Sequence, residues 1–141
     1  MKKLISISIL IVLLDQITKF FFKNKTYIIT DFFSFDYTEN TGAAFGMLKG
    51  FNILFIVVAL IVIFFIFKYY TEIIELKKSK PYINYAFAFL LGGAVGNLID
   101  RIFLGYVRDF ISFSFWPTFN LADSFSTIGI ILIVFYILTK K

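Results

Sequence analysis

The chain has 141 residues, of which 60% are hydrophobic and 21% aromatic, and its mean hydropathy is +0.87. A soluble domain of this size could not bury so much apolar surface, so the composition indicates a single-domain integral membrane protein. The formal net charge of +5 does not indicate nucleic acid as a partner, because the basic residues stand at the ends of apolar segments and not in one patch.

The sequence contains neither cysteine nor histidine. This excludes disulfides, cysteine or histidine zinc sites, Ser-His-Asp triads, Cys-His dyads and HExxH metalloprotease sites. Any acid–base chemistry must therefore come from Asp, Glu, Lys or Tyr, and we expect neither a metal nor another cofactor.

The first apolar segment covers residues 4–22, which is enough to span a membrane as a helix. Lys2 and Lys3 give it the shape of a secretory signal peptide, but no small-residue cleavage site follows, so we interpret it as a retained helix. Asp15 and Lys19 are four residues apart and share one helical face. The pattern favours an ion pair whose lysine reaches toward the interface, and the alternative is that the two residues brace an active site.

Residues 23–50 are polar but rich in β-forming residues. The stretches 27–29 and 32–37 are predicted strands, which would form a small sheet on the membrane surface over residues 27–47. Small residues follow Asn40 and would let another chain approach the backbone closely, although the same pattern also fits a turn before the second helix.

A second apolar segment, 51–70, has no charge before Lys68 and is predicted to be a scaffold helix. A hydrophilic connection follows it. Pro81 then suits the first turn of a third helix over residues 82–99.

The third helix combines small and polar residues. Gly92 and Gly96 form a GxxxG pattern, which permits tight helix contact in lipid. Asn97 follows near that interface and shares a face with Arg101, next to Asp100. Because polar groups at the membrane edge are costly unless paired, this cluster favours a functional site over a plain helix end in the headgroups.

Residues 110–119 begin with alternating aromatic residues and serines, which predicts an extended interfacial segment anchored by Trp116. A fourth helix is predicted over residues 121–138. Asn120 suits its N-cap, with Asp123 at the third helical position. Asp123 therefore has a structural alternative, which is to cap the helix and complement its dipole.

The distribution of basic residues predicts the topology. With four spans, both termini and the 71–80 connection lie on one side, which carries eight basic residues against six on the other. We therefore predict that both termini are cytoplasmic and that Asp109 and Asp123 lie at the outer membrane face.

Two carboxylates held close together in a low-dielectric site do not ionise independently, since the charge of one raises the pKa of the other. One stays protonated while the other acts as a base near neutral pH. Asp109 and Asp123 could in this way deprotonate a water and protonate a substrate carbonyl, which is peptide hydrolysis without Ser, Cys, His or metal. A helix N-terminus favours the ionised form of Asp123, but which carboxyl starts charged stays open because coupled sites titrate as a pair.

Five motifs resemble those of lipoprotein signal peptidase, or signal peptidase II, a family of bacterial membrane aspartic proteases. In chain order they are DQITK at 15–19, NTGAAF at 40–45, GNLIDR at 96–101, VRDF at 107–110 and FNLADS at 119–124. Because all five occur in order on a chain with four predicted spans, the resemblance covers essentially the whole sequence.

The resemblance implies an all-α membrane protein with one domain over residues 1–141, in which four transmembrane helices carry a small extracytoplasmic β-sheet cradle. The implied activity removes the signal peptide from prolipoproteins that carry diacylglycerol on the lipobox Cys, with cleavage just before that Cys. The implied partners are this lipidated substrate, membrane lipid and globomycin-type cyclic peptide inhibitors. We expect a monomer in the bacterial cell membrane.

The resemblance also implies roles for individual residues. Asp109 and Asp123 would be the catalytic pair, Asp15 and Lys19 would support the site, and Asp100 would pair with Arg101 to hold the helix end. The remaining positions would bind the substrate or brace the aspartates; they are Asn40, Gly42, Ala43, Asn97, Arg101 and Asn120.

Two other classes of protein fit parts of the pattern. A proton- or ion-coupled transporter would use membrane carboxylates, but transporters place them near the bilayer midplane on broken helices, whereas here they cluster at one end of the spans. A membrane scaffold would use its polar residues only as anchors, and it predicts that Asp109→Asn and Asp123→Asn are harmless.

Overall fold

The structure, a computed structural model, describes residues 1–42, 47–75 and 81–139. Within these ranges the chain forms four helices and four strands. In chain order they are α1 (Lys2–Phe22), β1 (Thr26–Thr30), β2 (Phe33–Asn40), α2 (Asn52–Glu75), α3 (Tyr82–Phe103), β3 (Val107–Phe113), β4 (Trp116–Phe119) and α4 (Leu121–Thr139). The predicted fold class, four membrane helices with a small sheet, is confirmed.

The helix α3 is the central element of the membrane part. Its span has the lowest mean hydropathy of the four, 1.4, yet the largest buried share, 44%, against 11% for α2. It packs against each of the other three helices. Polar side chains can therefore be placed on α3 without facing lipid, which is the condition for a site between helices.

Glycines let α3 approach its neighbours closely. A Cβ on Gly92 would lie 2.8 Å from the Ile11 side chain of α1, and one on Gly93 would overlap the Ala122 carbonyl oxygen at the start of α4. The predicted small-residue face is thus a packing surface toward two helices, because only residues without a side chain leave room for both backbones.

The apolar core lies toward the end of the helix bundle that is away from the four strands. Its buried members include Leu4 of α1, Tyr70 of α2, Phe87 of α3 and Tyr136 of α4. The large apolar side chains on the outer faces of the helices are exposed, as expected for surfaces that contact lipid.

The four strands form one antiparallel sheet in the order β1-β2-β3-β4. The expectation that the sheet comes from residues 27–47 is incomplete, because the described residues of that region contribute strands over 26–40, and residues 107–119 supply the other half. The segment 110–119, predicted to be merely extended, belongs to a hairpin. The pairing of β2 with β3 joins strands separated by two membrane helices, and alternation within one strand does not reveal such a partner.

Helix ends also differ from the predicted spans. The helix α2 continues to Glu75 rather than residue 70, and α3 continues to Phe103 rather than residue 99. Charged residues near the membrane edge do not end a helix, because the helical backbone still satisfies its own hydrogen bonds there. As a result, Asp100 and Arg101 are held rigidly within the last turns of α3.

Candidate active site

A cavity of about 560 Å³ opens between the sheet and the adjacent ends of α3 and α4. Its wall carries polar side chains near the helix ends and mostly apolar side chains along β4. The lining residues are Asn40, Gly42, Asn97, Arg101, Val107, Asp109, Trp116, Pro117, Thr118, Phe119, Asp123, Ser124, Thr127 and Ile128. Both predicted catalytic aspartates are among them, although they come from different elements.

Asp109 lies on β3, opposite Thr38 of β2, and is only 2% exposed. Its carboxylate oxygens accept hydrogen bonds from the side-chain amides of Asn120, at 2.7 Å, and Asn40, at 2.9 Å. Burial, followed by the nearby charge of Asp123, raises the pKa of Asp109 to about 7. This carboxyl group can therefore exchange a proton near neutral pH.

Asp123 lies in the first turn of α4. It forms a capping box with Asn120, whose backbone N–H donates to Asp123 Oδ2 at 3.1 Å, while the Asp123 N–H donates to Asn120 Oδ1 at 2.9 Å. Its other carboxylate oxygen, Oδ1, accepts from the side-chain amide of Asn97 at 2.7 Å and the residue lines the cavity. Asp123 therefore caps α4, as its structural alternative predicts, and it also faces the cavity.

Asn120 connects the two aspartates. It is fully buried, and its side-chain Nδ2 donates to Asp109 Oδ1 and, at 3.0 Å, to Asn97 Oδ1. Because its Oδ1 accepts from the Asp123 backbone, one amide side chain touches both carboxylate-bearing residues. The relative placement of Asp109 and Asp123 thus depends on a side chain with no freedom to rotate.

Lys19 and Asp15 lie directly beneath this arrangement and are both 0% exposed. Lys19 Nζ lies 2.8 Å from Asp15 Oδ2, 3.4 Å from Asp100 Oδ2 and 2.9 Å from Asn97 Oδ1. The predicted ion pair is present. The interpretation that its lysine extends toward the interface is wrong, because burial of two carboxylates draws the ammonium inward.

Asp15 also contacts α4 directly. Its Oδ1 accepts the backbone N–H of Ala122 at 3.0 Å, which is one of the unpaired donors at the start of that helix. The Asp15–Lys19 pair therefore supports Asp123 in two ways. Asp15 binds the N-terminus of α4, which carries Asp123, and Lys19 binds Asn97, whose amide donates to the Asp123 carboxylate.

The expected pairing of Asp100 with Arg101 is wrong. Asp100 instead accepts from the guanidinium of Arg108, at 2.7 and 3.1 Å, and forms an ion pair with Lys19 at 3.4 Å. Arg101 donates to the Gly42 carbonyl at 2.9 Å, and its guanidinium lies 4.4 Å from the Phe55 ring centre. Consecutive residues of a helix project about 100° apart, so Asp100 faces α1 and β3 while Arg101 faces the cavity.

Three contributors to the site were not predicted from the sequence. Gln16 and Arg108 share Asp100, and Asn52 donates to the backbone oxygen of Arg101 at 2.9 Å. A supporting role for Arg108 could have been inferred from the sequence, because a residue that precedes Asp109 on a strand must face the side of the sheet opposite to Asp109. The remaining predicted residue, Ala43, lies outside the described residues.

This arrangement is that of a buried carboxylate pair at one end of a membrane helix bundle, and the chain is similar to known proteins over its length. It matches the family model described as signal peptidase (SPase) II over residues 7–139. It is 41% identical over 135 residues to a lipoprotein signal peptidase of Halothermothrix orenii, covering 92% of this chain and 90% of that protein. It is 44% identical over 138 residues to one of Caldanaerobacter subterraneus, covering 92% of each.

A solved bacterial membrane enzyme structure obtained by the in meso method is also similar. The TM-score is 0.85 at 30% sequence identity, and the match covers 98% of this chain and 88% of that chain. A second structure described in the same terms has a TM-score of 0.83 at 29% identity.

Proposed function

The chain belongs to the signal peptidase II family, and from this premise we propose that Asp109 and Asp123 are the catalytic pair of an aspartic endopeptidase. Membership makes the protein a membrane protease that removes signal peptides from lipoproteins. The aspartic mechanism, the position of cleavage and the roles of individual residues form the proposal.

One observation carries the proposal. Two carboxyl groups from β3 and α4 line the same cavity, and Asn120 donates to both of them, through its side-chain amide to Asp109 and through its backbone N–H to Asp123. A buried carboxylate that only capped a helix would have no reason to share a cavity with a second one, since like charges in a low-dielectric site destabilise each other. The arrangement suits the sharing of one proton between two acids.

We assign the resting proton to Asp109. Its pKa of about 7 follows from burial and from the charge of Asp123. Asp123 stands at the N-terminus of α4, and accepts bonds from Asn97 and from a backbone N–H. Both features favour a carboxylate at that position.

The reaction then follows the acid–base roles of the pair. The Asp123 carboxylate takes a proton from a water, and the oxygen of that water attacks the carbonyl carbon of the scissile bond. Asp109 gives its proton to the carbonyl oxygen, so a neutral tetrahedral diol forms while the negative charge of the pair passes from Asp123 to Asp109. As the C–N bond breaks, Asp123 returns its proton to the leaving nitrogen and a diol hydroxyl returns one to Asp109.

The other cavity residues would bind the substrate. Asn40, Asn97 and Arg101 line the cavity, where the two asparagines also hold the carboxylates and the Arg101 guanidinium donates to the Gly42 carbonyl. The fully buried Asn120 braces Asp109. The apolar side chains that β4 contributes to the wall, among them Trp116 and Phe119, suit the lipid of a diacylglyceryl-modified cysteine. We propose that cleavage occurs just before that cysteine, and that globomycin-type peptides bind in the same cavity.

The test is a cleavage assay with purified protein in detergent. Wild type, Asp109→Asn and Asp123→Asn are each given a prolipoprotein with a diacylglyceryl-modified lipobox cysteine, and the same protein without lipid. We expect wild type to cut only the lipidated form, immediately before the cysteine, and each variant to lose at least about 1,000-fold in rate because a proton-transfer group is gone.

Either residue whose Asn variant keeps wild-type turnover does not belong to the pair. Circular dichroism and thermal unfolding of each variant check that the fold is intact. Folded wild type that cleaves neither substrate would contradict the proposed substrate chemistry and would lead to proton-flux measurements on vesicles.

A further inference from the structure

The strand β3 presents different residues to its two faces. Val107 and Asp109 line the cavity. Arg108 and Phe110 face α1, where Arg108 contacts Gln16 and Phe110 stacks on Phe22 with ring centres 4.7 Å apart. Because side chains alternate along a strand, whatever holds Arg108 and Phe110 against α1 also aims Asp109 into the cavity.

Arg108 is not among the described residues that line the cavity, yet its side chain and backbone donate four hydrogen bonds to Asp100 and Gln16. Its guanidinium donates twice to the Asp100 carboxylate, with Nη2 at 2.7 Å and Nε at 3.1 Å, and Nη2 also donates to Gln16 Oε1 at 2.7 Å. Its backbone N–H donates to Asp100 Oδ2 at 2.9 Å. Side chain and backbone are therefore both tied to the same carboxylate, immediately before Asp109 in the sequence.

Asp100 and Asn97 are three residues apart on α3, so they lie within about one helical turn on the same side of the helix. Asn97 contacts Asp123 at 2.7 Å, and Asp100 holds the residue next to Asp109. Lys19 binds both Asn97 and Asp100 from α1. One turn of α3 thus acts as the common reference for the positions of both carboxyl groups.

We propose that Arg108 is a positioning residue for the reaction: its clamp on Asp100 and Gln16 fixes the start of β3, and through it the location of Asp109 relative to Asp123. This rests on the proposed catalytic role of Asp109. Among the described contacts, Arg108 neither lines the cavity nor hydrogen-bonds to the carboxyl group of Asp109 or Asp123, so its effect is on the alignment of the pair and not on substrate binding.

The geometry calls for arginine and not merely for a positive charge. A guanidinium reaches both oxygens of Asp100 and the Gln16 amide at the same time, because its donors are fixed in a planar fork. Lysine would supply the charge from a single nitrogen, and it would leave at least one of these acceptors without its bond. Arg108→Lys keeps the positive charge beside Asp100 but loses the fork. Its effect on kcat therefore shows whether Arg108 acts by aligning Asp109 or only by neutralising the charge of Asp100.

The test measures kcat and KM on the lipidated substrate for wild type, Arg108→Met, Arg108→Lys, Asp109→Asn and the control Lys25→Met. Lys25 is an exposed cation in the α1–β1 connection, away from the cavity. We expect Arg108→Met to lower kcat by about 10- to 100-fold with KM within about 2-fold of wild type, as a misaligned catalytic group would. Arg108→Lys should fall between Arg108→Met and wild type, and Lys25→Met should equal wild type.

Wild-type kcat in Arg108→Met would overturn the proposal, as would a loss confined to KM. If Arg108→Met does not fold, Arg108→Lys decides: a reduced kcat at unchanged KM supports the role of the fork, and wild-type kcat rejects it. Activity in Asp109→Asn would refute the catalytic pair itself. An inactive Asp109→Asn beside a fully active Arg108→Met would refute the positioning role alone.

Discussion

At the scale of single residues, Asn120 explains why two aspartates from distant elements can act together. Its amide donates to Asp109, while its carbonyl oxygen accepts from the backbone of Asp123. No charged group could do this as well, because a cation would lower the basicity of the ionised carboxylate and an anion would add a second negative charge beside it. A buried amide both donates and accepts without changing the local charge.

The pH dependence of stability tests the environment of Asp109. Its pKa is raised in the folded protein to about 7, above the ordinary value of 3.8 that applies when the chain is unfolded. Below about pH 4 both states hold the proton, so the site costs nothing. As pH rises toward 7 the unfolded state ionises first, and wild type loses stability relative to Asp109→Asn by up to about 4 kcal/mol.

Thermal unfolding of wild type and Asp109→Asn in the same detergent, from pH 4 to pH 8, measures this difference. The gap should change in favour of the Asn variant between pH 4 and 7 and then level off. Parallel curves would show that Asp109 titrates as an exposed carboxyl does and would remove the proton we assign to it.

At the scale of elements, the distance between α3 and α4 determines whether the site can form. Gly93 lies where α3 meets the start of α4, against the Ala122 carbonyl oxygen and Ser126 Oγ. The same turn of α4 carries Asp123, and Ala122 is itself bound by Asp15. Any side chain at position 93 therefore pushes on the backbone that presents a catalytic group.

We expect Gly93→Ala to destabilise the protein by about 1–3 kcal/mol, since the added methyl must displace a backbone atom. It should also lower kcat through the shift of α4. Gly105→Ala is the comparison: a Cβ there has open space, and its φ of +84° leaves only a local backbone cost of about 1–2 kcal/mol.

Unfolding temperatures and kcat of the two variants give the answer. Gly105→Ala should keep most of its activity because Gly105 lies outside the cavity wall. Equal activity in Gly93→Ala and Gly105→Ala would mean that α4 tolerates displacement, contrary to the tight contact seen here.

At the scale of the whole molecule, polar and apolar residues are segregated along the membrane normal. The buried ion pairs and the cavity lie at one end of the bundle, and the apolar core centred on Phe87 lies at the other. The end with the cavity is the end to which the four-stranded sheet is attached. Under the proposed function, a lipid-anchored substrate would therefore meet the carboxylates at one end of the bundle and not at its centre.

The predicted orientation can be tested directly because the natural sequence has no cysteine. We expect a single cysteine at Lys25→Cys to react with a membrane-impermeant maleimide on intact spheroplasts, and one at Lys2→Cys to react only after permeabilisation. Both side chains are exposed, so access depends on the side of the membrane. The cysteine-free wild type controls for background. The reverse pattern would put the cavity on the cytoplasmic side.

The sequence alone determined much of this protein. Composition and four apolar segments established a membrane protein of four spans, because transfer of apolar side chains into lipid depends on local sequence only. The capping relation of Asn120 and Asp123, and the pairing of Asp15 with Lys19, were also predictable, since they involve residues three and four positions apart. The family followed from short motifs.

Tertiary structure decided the rest. The pairing of β2 with β3 and the inward position of Lys19 join segments far apart in the chain, and the exchange of Arg101 for Arg108 as the partner of Asp100 joins a helix to the strand that follows it. Local patterns do not specify such contacts, because each charged residue has several partners of opposite sign and burial selects among them. Whether two aspartates 14 positions apart share one cavity is likewise decided only when β3 is placed beside the start of α4.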